Sequence, residues 1–186
     1  RDVSERILKN FNRMGFACHI AVGGDGSLEI AHRFAKLGMT VVGVPKNIDN
    51  DLAATNLTIG FDTAVSTATE ALDKLHSTAK SHNRVMVVEV MGRNAGWIAL
   101  HAGVASGADI ILIPDIPFSY DAIYDSIEFR RKKGRLFTII CIAEGAKPLG
   151  GQMTVANVLK DSPDPIRLGG AGTVLARPMY EKFGAE

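Results

Sequence analysis

The chain has 186 residues, with 21 Lys and Arg against 20 Asp and Glu, 46% hydrophobic residues, 19 Gly and 2 Cys. That length suits one large domain or two small ones. A formal charge of +1 gives no electrostatic reason to expect nucleic acid or an acidic membrane surface as partner. No apolar run approaches the roughly 18 residues of a membrane span, and the N-terminus shows no signal-peptide pattern, although Arg1 need not be the natural start. Cys18 and Cys141 lie in apolar stretches and form no disulfide framework or CxxC metal site, which fits a reducing, cytoplasmic compartment.

In chain order, Val3, Ile7, Leu8, Phe11 and Met14 mark a helix face, with Asp2 and Glu5 spaced as a capping box and Gly15 as the stop. Phe16 to Val22 reads as a buried strand. Ser27 is expected to cap a helix with Leu28, Ala31, Phe34 and Ala35 inward, ended by Gly38. Thr40 to Val44 is β-branched and apolar, as in a strand covered on both faces. After a polar loop from Pro45 to Asn56, Phe61 to Leu75 repeats at helical spacing.

Val85 to Val90 is the next strand, Ala95 to Ala105 a small-residue helix with Trp97 as a core anchor, and Asp109 to Ile113 another strand. Ser119 opens a helix with Ile123 and Ile127 inward, ending near Gly134, and Leu136 to Ala143 is a strand. Helices are expected around Met153 to Lys160 and over Ala171 to Phe183, separated by the Pro/Gly-rich stretch Ser162 to Gly170. The alternation implies an α/β fold of parallel βαβ units, doubly wound. Ligands of such sheets gather at the carboxyl ends of strands, so the loops there are the candidates for chemistry.

The loop Gly23-Gly24-Asp25-Gly26-Ser27 lies between a strand and a helix. Glycines admit a ligand close to the backbone, and the helix start offers N–H groups to a phosphate. Asp25 would repel that phosphate unless a cation such as Mg²⁺ lay between them; the competing reading is a glycine turn with Asp25 as a cap. Pro45-Lys46-Asn47-Ile48-Asp49-Asn50-Asp51 packs carboxylates and amides directly after a strand. It is either an elaborate Asx turn or a site in which Asp49 or Asp51 accepts a proton and Lys46 meets phosphate charge.

Met91-Gly92-Arg93-Asn94 also follows a strand, where Arg93 either grips a phosphate bidentately or sits in a surface turn. Glu144 ends the strand before Gly145 and either accepts sugar hydroxyls or caps a loop. The five histidines show no metal-ligand spacing. The basic cluster from Arg130 to Arg135 is ordinary compensation of a helix C-terminus.

Together, Gly23–Ser27, Pro45–Asp51, Met91–Arg93 and Glu144–Gly145, in this order and spacing, closely resemble the 6-phosphofructokinase family. NAD kinases and diacylglycerol kinases share a GGDG loop but lack the PKNIDND and MGR segments. The resemblance implies phosphoryl transfer to the 1-hydroxyl of fructose 6-phosphate, on a fold of two Rossmann-like halves, both incomplete here. Residues 1–60 would belong to the nucleotide half and 61–186 to the sugar-phosphate half. By resemblance, Asp25 holds Mg²⁺; Gly24, Gly26 and Ser27 line the donor phosphates; Asp49 is the catalytic base and Asp51 supports it. Asn47, Ile48, Met91, Gly92, Arg93 and Glu144 would contact the sugar phosphate. Arg84 would reach a neighbouring subunit's sugar site, which implies a homo-oligomer.

Pyrophosphate users of the family typically carry an Asp at the place of Gly26, where its carboxylate takes the room of an ATP α-phosphate. Lys46 is a feature of the pyrophosphate users, whereas many ATP users have glycine. The Gly26/Lys46 pair therefore resembles the ATP-using or mixed-substrate branch, and ATP is the expected donor, with pyrophosphate as the alternative. Asn47 stands where the family usually has Thr. The chain matches the middle portion of the family, without its first glycine-rich nucleotide loop or its later basic segment. A non-catalytic regulatory homologue is the competing expectation.

Overall fold

The structure is a computed structural model that describes residues 2–160, 162 and 165–183. It divides into two compact units, Arg1–Gly60 and Phe61–Glu186. In the first, α1 (Ser4–Met14), β1 (His19–Gly23), α2 (Asp25–Lys36), β2 (Val41–Asn47) and β3 (Ile59–Gly60) follow one another, and the strands form a parallel sheet ordered β1-β2-β3. Helix α2 lies on the sheet face of Ala21 and Gly43, where a Cβ at Gly43 would stand 3.1 Å from Leu28 Cδ2.

Five expectations for this unit are corrected. The residue at the N-cap of α1 is Val3, and Asp2 Oδ1 accepts the Ser4 N–H from one position further out, so no capping box forms. Helix α2 starts at Asp25 behind Gly24, which puts Ser27 inside the first turn instead of at the cap. The β1 strand is not buried: Ile20 and Val22 are 63% and 61% exposed, because α2 covers only the alternate positions Ala21 and Gly23. Val42 in β2 is exposed for the same reason of strand alternation. Strand β2 also continues through Pro45 and Lys46 to Asn47, because Lys46 and Asn47 pair with β3.

The second unit contains α3 (Phe61–His82), β4 (Val85–Val90), α4 (Trp97–Ala105), β5 (Ile110–Leu112), α5 (Tyr120–Lys132), β6 (Thr138–Ala143), β7 (Val155–Val158), β8 (Ile166–Leu168) and α6 (Ala171–Phe183). Its main sheet is parallel, ordered β4-β6-β5. Every residue of the central strand β6 is buried. Ile140 and Ile142 face α5 and α6 through Ile123, Ile127, Leu175 and Met179. Cys141, on the opposite face, lies under Gly103 of α4. A strand buried on both sides has no polar alternation to display, which is why β6 reads as a continuous apolar run. Ser119 caps α5 as expected, accepting from the Ala122 N–H.

Two expectations fail here. Residues 153–160 are not helical: Val155–Val158 pairs antiparallel with Ile166–Leu168 in a hairpin. Two valines around Ala-Asn favour the pleated backbone, and no helical apolar stripe exists to compete. The Pro/Gly-rich stretch thus contains a strand, while its residue 163 and residue 164 lie outside the described residues, as does residue 161. Trp97 is no core anchor; it is 46% exposed and meets His101 edge-on with ring centroids 6.1 Å apart.

Candidate active site

In the first unit both suspected loops leave neighbouring parallel strands at the same edge, since Gly23 and Pro45 are register partners. The loops touch: a Cβ on Gly24 would stand 3.7 Å from the Lys46 carbonyl oxygen. At Gly23 a Cβ would fall 2.5 Å from Ser27 Cβ, so only glycine lets the strand turn this tightly into α2. Asp25, Gly26 and Ser27 occupy the exposed first helical turn, whose N–H groups lack intrahelical partners. Around a Cβ at Gly26 there is no heavy atom within 4 Å.

The second loop is folded on its own amides. Asn47 Oδ1 accepts the Asp49 N–H at 2.8 Å, and Asn47 Nδ2 donates to Asp51 Oδ1 at 2.6 Å. Asn50, with φ of 54°, accepts the Thr58 N–H at 2.9 Å, while the buried Thr58 hydroxyl donates to the Asn47 carbonyl at 2.6 Å. The Asx-turn geometry is therefore real, and it carries Asp49 half-buried with Lys46 and Asp51 exposed. Asn47 brings two carboxylate-bearing residues to one amide, and Ile48 Cγ2 packs near Gly60.

The second unit repeats the arrangement. Val90 and Ala143 are register partners, and Glu144 N–H donates to the Val90 carbonyl at 2.9 Å. The carboxylate Oε1 of Glu144 accepts two backbone N–H groups, from Gly92 at 3.2 Å and from Arg93 at 2.8 Å. Arg93 takes a left-handed φ of 50°, and Gly92 has φ of 141°. A Cβ at Gly145 would sit 2.0 Å from the Arg93 carbonyl oxygen, so Gly145 is what permits this approach. Met91 is exposed beside them.

Arg84 is elsewhere. It precedes β4, whereas Met91 to Arg93 follow it, and a six-residue strand spans about 20 Å. Among the described residues no cluster of three or more His, Cys, Asp or Glu forms a metal cage. Sequence reasoning missed Thr58, the buried strut of the aspartate loop, and Glu89, whose carboxylate accepts N–H groups from Gly170 and Gly172. A lone Glu inside the apolar run Val85 to Val90 was the available signal for the latter. No helix among the described residues is long and apolar enough to cross a membrane.

Comparison with known proteins places these loops in context. The family model described as Phosphofructokinase matches residues 1–184. The ATP-dependent 6-phosphofructokinase 2 of Clostridium perfringens is 52% identical over 176 residues, which is 95% of this chain and 48% of that protein. The pyrophosphate–fructose 6-phosphate 1-phosphotransferase of Amycolatopsis methanolica is 50% identical over 182 residues, 98% of this chain and 53% of that one. Among solved structures, a pyrophosphate-dependent phosphofructokinase from Nitrosospira multiformis superposes with a TM-score of 0.72 at 26% identity, covering 98% of this chain and 46% of that chain. A phosphofructokinase from Saccharomyces cerevisiae gives 0.70 at 34% identity, over 80% of this chain and 24% of that one. The chain spans about half the length of the curated relatives it matches.

Proposed function

Since the chain belongs to the phosphofructokinase family, we propose that it carries donor and acceptor residues of an enzyme that phosphorylates fructose 6-phosphate at its 1-hydroxyl, with ATP as donor. The observation that carries the reading is the pairing of loops by strand register, Gly23 with Pro45 in one unit and Val90 with Ala143 in the other. Residues 1–60 supply the donor side and the base; residues 61–186 supply the sugar-phosphate side.

In this reading Asp49 takes the proton of the 1-hydroxyl as that oxygen bonds to the γ-phosphorus, and the bond from phosphorus to the β-phosphate oxygen breaks to release ADP. Phosphoryl transfer depends on alignment and charge compensation more than on covalent chemistry. Asn47 serves alignment, since its amide fixes the Asp49 backbone and the Asp51 carboxylate together. Lys46 and Arg93 supply positive charge, and the first turn of α2 offers N–H groups of Gly26 and Ser27 to the donor phosphates beside Gly24. Glu144 Oε1 is occupied by the peptide of Arg93, leaving Oε2 to accept a sugar hydroxyl next to Met91 and Gly92; Ile48 is assigned to the acceptor as well.

Mg²⁺ fits this donor set. It keeps most of its waters and binds through one or two carboxylates plus substrate phosphates, and Asp25 is a single exposed carboxylate at an anion-binding helix start. When bound, the ion neutralises charge on the donor phosphates.

Gly26 supports ATP, because the room around it is open to a further phosphate. A second reading, pyrophosphate as donor, draws on Lys46 and on the pyrophosphate-dependent relative at 50% identity. Arg84 stands at the far end of β4 from Arg93, so a sugar contact from Arg84 would be made in a neighbouring copy, and we infer a homo-oligomer. A cytoplasmic location accords with both cysteines being free thiols.

The test is a coupled assay of the full-length enzyme that carries this chain, with ATP and pyrophosphate compared at equal fructose 6-phosphate. ATP is expected to give the higher kcat/KM, and Asp49→Asn is expected to lower kcat by roughly 10² to 10⁴. Activity that survives Asp49→Asn would remove the base from the mechanism.

A further inference from the structure

Glu89 is a half-buried carboxylate at the penultimate position of β4, two residues before Met91. Such a group is costly to bury unless hydrogen-bonded, and both of its oxygens are used. Oε1 accepts the Gly170 N–H at 2.9 Å and Oε2 the Gly172 N–H at 2.8 Å. Gly172 is the second residue of α6, so the carboxylate also meets the positive end of that helix. A Cβ on Gly172 would lie 3.1 Å from Glu89 Cβ and 3.2 Å from Oε2, so the glycine is what allows the clamp to close.

The clamp reaches the acceptor side through two residues. Gly169 and Gly170, with φ of 141° and 87°, turn the chain directly from β8 into α6, so the placement of β8 follows that of the helix start. The Gly169 N–H also donates to the Thr154 carbonyl at the entry of β7. The hairpin so fixed walls a cavity of about 470 Å³ whose lining includes Arg93, Lys147, Gln152, Val155, Ile166 and Leu168.

We propose that Glu89 is a positioning residue for the sugar-phosphate side of the reaction: by holding Gly170 and Gly172 it keeps the β7–β8 hairpin in place as a wall of the cavity that Arg93 lines. The inference rests on the phosphofructokinase reading above. It assigns Glu89 no contact with substrate. Its signature is therefore a weakened acceptor with an unaltered donor, whereas a purely structural role would lower the melting temperature and affect both substrates alike.

The experiment compares wild type, Glu89→Gln and Gly172→Ala in the full-length enzyme, measuring KM for fructose 6-phosphate and for ATP, calorimetric binding of fructose 6-phosphate, and thermal melting. Gln keeps one acceptor and turns the other oxygen into an amide NH2, a donor that cannot accept from an N–H. KM for fructose 6-phosphate is expected to rise roughly tenfold or more in Glu89→Gln, with KM for ATP within about twofold. Gly172→Ala, which presses on the same carboxylate, should shift it in the same direction by a smaller factor and keeps the test available if Glu89→Gln does not fold. An unchanged KM and affinity for fructose 6-phosphate in a folded variant, or an equal rise for both substrates, overturns the positioning role while leaving the functional reading intact. A wild type that neither binds nor phosphorylates fructose 6-phosphate overturns that reading and, with it, the substrate named here.

Discussion

The backbone N–H of Arg93 donates to Oε1 of Glu144 at 2.8 Å, across 51 positions of sequence. The same oxygen accepts from Gly92, so one carboxylate holds the whole turn that presents the guanidinium. Arg93 is a non-glycine residue at φ of 50°, a conformation that persists only when its surroundings over-determine it. Glu144→Ala removes the oxygen that accepts both N–H groups and frees the turn to relax. Hydrogen bonds to a charged acceptor are worth about 1.5 to 3 kcal/mol each, so kcat/KM for the sugar phosphate should fall by roughly 10 to 100-fold. Steady-state kinetics check it, with Glu144→Gln expected to retain part of the activity because its carbonyl oxygen still accepts.

Asn47 offers a cleaner separation of alignment from charge. Its amide accepts from Asp49 N–H and donates to Asp51 Oδ1. Asn47→Asp keeps the size and one acceptor but puts a second carboxylate 2.6 Å from Asp51 where a donor stood. The loop should open, with kcat reduced at least about tenfold and the rest of the first unit still folded. Asn47→Thr, which shortens the side chain and replaces the amide with a hydroxyl that can still accept or donate one hydrogen bond, should lose less. Kinetics together with circular dichroism distinguish the two effects.

The parts of the fold legible from sequence are those in which local chemistry and burial agree. Val85–Val90 and the stretch ending at Ala143 read correctly as strands because both are apolar and covered, and α5 was marked by Ser119 and by Ile123 and Ile127. The hairpin at Val155–Val158 was misread because its residues are exposed, so burial leaves no periodic trace there. Burial of β1 was overestimated from its composition alone, since hydrophobic residues do not reveal which face a helix covers. The site loops were legible as loops after strands, from glycine and carboxylate content. Their internal geometry was not: that Glu144 would clamp Arg93, or Thr58 brace Asn47, depends on contacts between residues far apart in sequence.

Cys141 gives a prediction in pH. Burial in the core pushes its thiol up to about 11 from 9.0. An acid whose folded pKa is raised adds stability that is fully present below the unfolded value of 9.0 and is lost as pH climbs through 11. A tenfold change in proton affinity is worth about 1.4 kcal/mol, so about 2 to 3 kcal/mol should disappear between these limits. Urea unfolding at pH 8 and pH 11 measures it; Cys141→Ala should be less stable at pH 8 and show a shallower decline. In native protein at pH 8 a thiol reagent should leave Cys141 unmodified while reaching the partly exposed Cys18.

Gly26 tests the donor. It is the second residue of α2, and a Cβ there meets no heavy atom within 4 Å, so Gly26→Asp brings no steric conflict. An acidic side chain in the first helical turn complements the helix dipole by about 0.3 to 1 kcal/mol, and replacing Gly within a helix removes a backbone-entropy penalty. The fold should therefore be as stable as before or more so. The new carboxylate takes the open volume beside the N–H groups proposed to hold the donor phosphates and repels a phosphate placed there, so kcat/KM with ATP should fall by roughly 10² or more. Pyrophosphate has no phosphate to place in that volume, so its kcat/KM should hold or rise. Parallel assays with both donors, alongside thermal melting, check the pair of outcomes; a variant that uses ATP as well as the wild type does would show that donor phosphates do not pass beside the first turn of α2.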